Sequence, residues 1–286
     1  MKFFSKQKNI DPSEAILIAS DPRSGSTWLS EILNTIPKSL VIDEPLHLEQ
    51  SPELKNLKFY WRQHIPKGTD WEEARDYFRK LFSGKLINPY SSKGLFKTSA
   101  ASQLIVKTIR AKLLLPWLCK AFDFKYKPIV LVRHPMAVIA SLKNHHAFDY
   151  PFKPIDLTEI TYSEVLNDHQ DFLESLRTNA EQQLAWWCIS NKYLSDQTDP
   201  QWLTVKYEDL ITDYEGTLRR IFNTWDLDMP KTLLNKKDIP SASTEKKQIE
   251  KNIQLLSWKE KLTKEEKLRY QQILDHFKIN YNTLYT

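Results

Sequence analysis

The sequence predicts an α/β fold, a doubly wound parallel sheet flanked by helices, in a single domain over 1–286. Three observations predict it. Five short apolar runs recur along the chain, and helical patterns lie between them. Several of these runs are apolar throughout rather than alternating, as strands are when helices cover both faces. Strands that alternate with helices close into a parallel sheet with right-handed crossovers.

Taken in order, "AILIAS" is the first strand, followed by a polar loop and a helix from Ser26 to Ile36. "SLVID" is the second, followed by a long connection, 45–69, and a helix from Trp71 to Phe82. "LIVKTI" comes next, with a helix from Ala111 to Phe122, and then "KPIVLVR", with a helix from Pro135 to Asn144. Proline suits the first helical position, where its missing N–H costs nothing. A long helical stretch, Tyr162 to Leu194, carries apolar positions at helical spacing, and its Trp186 and Trp187 are read as packing residues. "WLTVKY" is the last strand, before a helix from Tyr214 to Trp225. Thr263 is placed to cap a closing helix, Lys264 to Phe277. The connections 45–69, 84–103, 145–161 and 235–256 are long enough to carry function.

Composition narrows the function classes. With 41% hydrophobic and 27% charged residues, the chain is an ordinary folded protein. Its ends, 1–14 and the last few residues, are expected to be loosely held. Cys119 and Cys188 sit in apolar surroundings and are expected to be free, buried thiols. The N-terminus lacks a signal-peptide core, and no apolar run reaches membrane-spanning length, so a cytoplasmic protein without a membrane span is expected. The net charge of +5 comes from residues 231–286, a basic segment expected to pack on the core, and the rest is balanced. That distribution, with no nucleic-acid-binding motif, argues against nucleic acid as a partner.

The chemistry lies where strands meet helices. In "SDPRSGSTW", Gly25 lets backbone approach a ligand, and N–H groups from about Gly25 to Trp28 open the helix at its positive end. Arg23 adds a forked charge, Ser24 belongs to the same loop, and Ser26 and Thr27 add hydroxyls. No lysine precedes Ser26 and Thr27, which argues against nucleoside triphosphate hydrolysis. In "KPIVLVRHPMAVIASLKNH", Arg133 ends a strand and Ser141 lies eight residues further on, in the following helix. Both junctions open on the carboxyl edge of the sheet, where ligands bind. Two anion sites on one edge suit a nucleotide phosphorylated at two places.

Together these stretches resemble the sulfotransferase family, whose fold is P-loop-like and whose donor is 3'-phosphoadenosine 5'-phosphosulfate (PAPS), leaving adenosine 3',5'-bisphosphate (PAP). "PRSGSTWL" looks like the family's 5'-phosphosulfate loop in its arginine form, "LVRHPMAVIAS" like its 3'-phosphate element, and "VKYEDL" like a further family stretch. The likeness runs from about Ile16 to Asp228. It implies that Arg23, Ser24, Gly25, Ser26, Thr27 and Trp28 hold the 5' side and that Arg133 and Ser141 hold the 3'-phosphate. Tyr207 is a candidate beside the adenine, with a core tyrosine as the alternative. Where the cytosolic branch has an Arg-Lys-Gly loop, this chain has "SASTEKKQIEKN", and Thr244, Lys246 and Lys247 are candidate substitutes.

Sulfuryl transfer needs charge stabilisation on the leaving group, which Arg23 and the loop N–H groups are placed to supply, and no metal is expected. Glu44 in "LVIDEPLHL" is the candidate base, since carbohydrate-type sulfotransferases carry a similar Glu-Pro; pairing with a nearby Arg or Lys is the alternative. His47 is second choice. Lys107 and Arg110 are either active-edge cations or surface charges. The resemblance implies a hydroxyl acceptor, a carbohydrate or glycoconjugate, with tyrosine or a small molecule left open, and a homodimer is the assembly left open. Outside the family, a P-loop kinase and a catalytically silent nucleotide-binding protein remain as alternatives.

Overall fold

The computed structural model describes residues 10–86, 101–143, 145, 148–236 and 255–284. Its strands are β1 (Ile16–Ser20), β2 (Ser39–Asp43), β3 (Gln103–Thr108), β4 (Ile129–Val132) and β5 (Leu203–Lys206). All pair in parallel in one sheet, in the order β2-β3-β1-β4-β5. β1 is central, so the chain winds outward from it twice, and the ends of β1 and β4 lie side by side.

Alternation along the strands sorts their side chains into two cores. Ile16, Ile18, Ile105, Ile129, Leu131 and Val205 face α1 (Ser26–Leu33) and α10 (Tyr214–Thr224), packing on Leu29, Ile32, Leu218 and Phe222. Leu17, Ala19, Leu104, Val106, Val130 and Val132 belong to the opposite face. That face is covered by α3 (Glu72–Phe82), α4 (Leu115–Phe122), α5 (Pro135–Leu142), α8 (Asn179–Ser195) and the C-terminal helix Lys264–His276. Each fully buried aliphatic side chain contributes roughly 1.5–3 kcal/mol, so both faces hold the sheet rigid beneath its loops.

Several expectations needed correction. The stretch 162–194 is not one helix: α6 (Glu164–Asn167), α7 (Gln170–Glu174) and α8 are separated. Thr178 starts α8 afresh, in extended backbone, with its hydroxyl accepting the Glu181 N–H at 3.1 Å. The helix expected from Ala111 begins as a tight turn, Lys112–Leu114, and becomes α-helical only at Leu115, beside Pro116. Part of the connection 45–69 folds as α2 (Pro52–Asn56). Tyr207 opens α9 (Tyr207–Thr212) rather than closing β5.

Trp186 and Trp187 are buried, as expected of packing residues. Cys119 and Cys188 are buried and free, and burial pushes the Cys119 thiol up to about 12, which leaves it unreactive near neutrality. Thr263 accepts from the Glu266 N–H while Glu266 reaches back to Thr263, so the closing helix starts with a complete capping box. Among the described residues, no helix is long and apolar enough to cross a membrane.

Candidate functional site

Strand register brings the two anion motifs together. Ser20 of β1 lies opposite Leu131 of β4, so Arg23 and Arg133 leave the sheet over the same edge within a residue of each other. Val132 lies opposite Lys206, so the next residues along, Arg133 and Tyr207, meet. The Arg133 guanidinium carbon stands 4.5 Å from the centre of the Tyr207 ring. Arg133 Nη1 donates to the Arg23 carbonyl at 3.0 Å, and Arg23 Nε donates to Ser141 Oγ at 3.0 Å. The four side chains come from three separate strand-helix junctions.

Conformation of the first loop explains its glycine. Gly25 has φ 90°, and a Cβ there would lie 2.5 Å from a Tyr207 ring carbon, so only glycine lets the loop lie against this tyrosine. Arg23 also adopts left-handed backbone, φ 62°, a conformation that costs a non-glycine residue energy and recurs at functional sites. Ser24 is fully buried, and its hydroxyl, like that of Ser20, has no hydrogen-bond partner among the described residues. Ser26 opens α1, buried; Thr27 is half-buried, and Trp28 packs on Tyr207 and Tyr214.

Two like charges meet here. Burial and the neighbouring Arg133 hold the Arg23 guanidinium below its ordinary value. Among the described residues neither arginine is ion-paired with a carboxylate, an arrangement that favours a bound polyanion. The orphaned Ser24 hydroxyl and the close-lying loop backbone fit the same kind of ligand.

A second cluster lies at the β2–β3 end of the edge. Asp43 lies opposite Lys107, and Glu44, next in line and also left-handed at φ 52°, turns its carboxylate back to the sheet. Lys107 Nζ donates to Glu44 Oε1 at 2.9 Å and lies 2.6 Å from Asp43 Oδ1. Arg110 Nη1 and the Ile109 N–H both donate to Glu44 Oε2, at 2.7 and 3.3 Å. The alternative left open by the sequence, a Glu44 paired with Lys and Arg, is therefore what the structure shows. Burial alone would lower Lys107, but Glu44 and Asp43 outweigh it and raise the ammonium above its ordinary value. Arg110 lies over Trp61 at 4.9 Å, and the His47 ring meets the same indole edge-on at 4.9 Å. Burial, then Arg110, lower His47, and its buried Nδ1 has no partner among the described residues.

Sequence reasoning missed the network beneath the first loop. Asp21, 2% exposed, accepts from Lys112 Nζ at 2.5 Å and Asn191 Nδ2 at 3.0 Å, while Ser190 Oγ donates to its other oxygen at 3.3 Å. Lys112 also donates to Asn191 Oδ1 at 2.7 Å. The only available signal was a lysine inside an apolar run, "AKLLLPWL", because Asp21 before Pro22 reads as an ordinary turn residue.

The structure thus brings together Arg23, Ser24, Gly25, Ser26, Thr27, Trp28, Arg133, Ser141 and Tyr207, and it places Glu44 and His47 further along the same edge. Thr244, Lys246 and Lys247 lie outside the described residues. Among those described, no group of three or more His, Cys, Asp or Glu side chains is placed to hold a metal ion.

No curated protein sequence matches the chain. Among solved structures, the sulfotransferase domain from the curacin biosynthetic pathway superposes with a TM-score of 0.51 at 18% identity, covering 93% of this chain and 98% of that one. The mouse sulfotransferase SULT7A1, solved in complex with PAP, gives 0.50 at 15% identity, covering 97% and 89%. At such identities the likeness concerns the fold. The family model "Sulfotransferase domain" matches residues 13–281, almost the whole described chain. This chain belongs to the sulfotransferase family.

Proposed function

We propose that the protein transfers a sulfuryl group from PAPS to an acceptor hydroxyl, of a carbohydrate or glycoconjugate, by in-line displacement. The carrying observation is the meeting of Arg23 and Arg133, two guanidinium groups on adjacent strand ends with no carboxylate partner among the described residues, joined by Arg23–Ser141 and Arg133–Arg23 hydrogen bonds. A donor with phosphates at both ends of its ribose supplies the anions such a pair calls for. Arg133 and Ser141 hold the 3'-phosphate, with Tyr207 as the platform beneath. The loop from Arg23 to Trp28 holds the 5' side.

When bound, PAPS supplies the sulfuryl group; the acceptor oxygen bonds to sulfur as the bond from sulfur to the bridging oxygen breaks. Arg23 and the α1 N–H groups neutralise the charge that grows on that departing oxygen, and they are in place beforehand, which is what makes such donors effective. Glu44 takes the acceptor's proton. A carboxylate accepts about four hydrogen bonds, and three donors engage Glu44, so one lone-pair position is left for an acceptor hydroxyl. The Glu44-Pro45 pair resembles that of carbohydrate-type enzymes, and Trp61, between His47 and Arg110, offers an aromatic wall nearby.

Calorimetric titration tests the donor class. The protein is expected to bind PAP without metal, more tightly than ADP with Mg²⁺ at the same salt. Preference for ADP with Mg²⁺ would instead establish a phosphotransferase-type site and remove this reading.

The base has its own test. Glu44→Gln is expected to keep PAP affinity within about twofold and to cut turnover about 10²- to 10⁴-fold, the usual worth of a general base. Undiminished turnover would leave Glu44 a structural partner of Lys107 and Arg110, and His47, whose Nδ1 has no partner among the described residues, would be tested in its place.

A further inference from the structure

The Arg133–Tyr207 pair is tied from behind. His134, next to Arg133, donates its backbone N–H to Glu208 Oε1 at 3.0 Å, and Glu208 is next to Tyr207. The other oxygen of Glu208 accepts the Tyr281 hydroxyl at 2.5 Å. The His134 ring stacks on Trp258, with centroids 4.8 Å apart and planes 20° apart, and Tyr281 packs against it at 4.9 Å. Burial, with Arg133 and Lys259 adding to it, pushes His134 down to about 4, so the ring is neutral and its Nδ1 accepts the Met136 N–H at 3.3 Å. Trp258 and Tyr281 belong to 255–284, a segment also fastened by an ion pair of Lys143 with Glu266 and by Arg269 to Glu181 at 3.1 Å.

These contacts form a closed circuit around the site. Two adjacent pairs, Arg133–His134 and Tyr207–Glu208, leave neighbouring strands; the first members meet as guanidinium and ring, and the second members meet as N–H and carboxylate. Trp258 and Tyr281 clamp the second members. Recognition of a phosphate by a guanidinium is angular, because its N–H groups form a fixed fork. A small rotation of the β4 end or of α9 would therefore spoil the grip of Arg133 without touching the 5' loop.

We propose that Trp258 and Tyr281 are positioning residues for the 3'-phosphate, acting through His134 and Glu208 to hold Arg133 over Tyr207. The inference rests on the reading of Arg133 as the 3'-phosphate ligand. It is distinct from general support of the fold, because a support role would weaken every adenine nucleotide alike.

The experiment measures PAP and 5'-AMP affinities for the wild-type chain, Trp258→Ala and Tyr281→Phe. Circular dichroism confirms that each is folded, and Tyr281→Phe removes a single hydroxyl, so one variant survives even if the other unfolds. The expected result is a PAP-to-5'-AMP preference about tenfold smaller in each variant, in line with losing one hydrogen bond to a charged group. A wild type that prefers PAP with variants that keep the preference would overturn the positioning role alone. A wild type with no preference for PAP would overturn the 3'-phosphate reading beneath it.

Discussion

Arg133→Ala is expected to weaken PAP binding about 100-fold or more, while 5'-AMP loses less than about tenfold. Each hydrogen bond between charged partners is worth about 1.5–3 kcal/mol, and a guanidinium offers two to one phosphate, so the loss spans at least two decades. The smaller loss for 5'-AMP follows from the structure, since Arg133 also donates to the Arg23 carbonyl and lies on Tyr207, and both support the 5' loop. Arg133→Lys would separate charge from shape. A lysine restores the positive charge but neither the fork nor the flat stack, so it is expected to recover only part of the preference. Calorimetry with both nucleotides decides the matter: equal losses for the two would remove the 3'-phosphate from Arg133.

Much of this site was legible in the sequence because it is local. Arg23, Gly25 and Ser26 are read from one loop, Arg133 and Ser141 from one strand-helix unit, and a parallel sheet then obliges both to emerge on one edge. That Arg133 meets Tyr207 follows from register, Val132 opposite Lys206, which no local pattern encodes. Gly25 is read from the loop as the residue that lets backbone approach a ligand; the structure adds a reason that no local pattern holds, a tyrosine 182 positions away. The 162–194 stretch has helical apolar spacing almost throughout, but Thr178 competes for the backbone and wins. Glu44 shows the limit most clearly, since its Glu-Pro context suggests a base while the lysine and arginine that clamp it come from the neighbouring strand β3 and the turn after it, 63 and 66 residues further on. Asp21 and Lys112, ninety-one residues apart, could be connected only by the fold.

That buried pair carries the largest expected effect on stability. Lys112→Met is expected to cost about 3–5 kcal/mol, because it leaves the Asp21 carboxylate buried without its closest cation. Both side chains are 2% exposed, so water cannot take over. Arg62 stands 3.9 Å from Asp21 Oδ1, beyond hydrogen-bond distance, and Asn191 and Ser190 donate as neutral groups, so compensation is partial and favours the lower end of the range. In a chain of this length that corresponds to a fall in melting temperature on the order of 10 °C. The double variant Asp21→Asn with Lys112→Met separates the cost of an orphaned charge from that of lost packing. Removing both charges is expected to recover most of the loss, since a buried pair replaced as a unit is often close to neutral. A single Lys112→Met variant that melted within about 2 °C of the wild type would mean that Arg62 moves in to serve Asp21 instead. The loop after β1 would then be anchored through Arg62, which contacts Gln183 and Trp186 of α8, rather than through Lys112 at the base of α4.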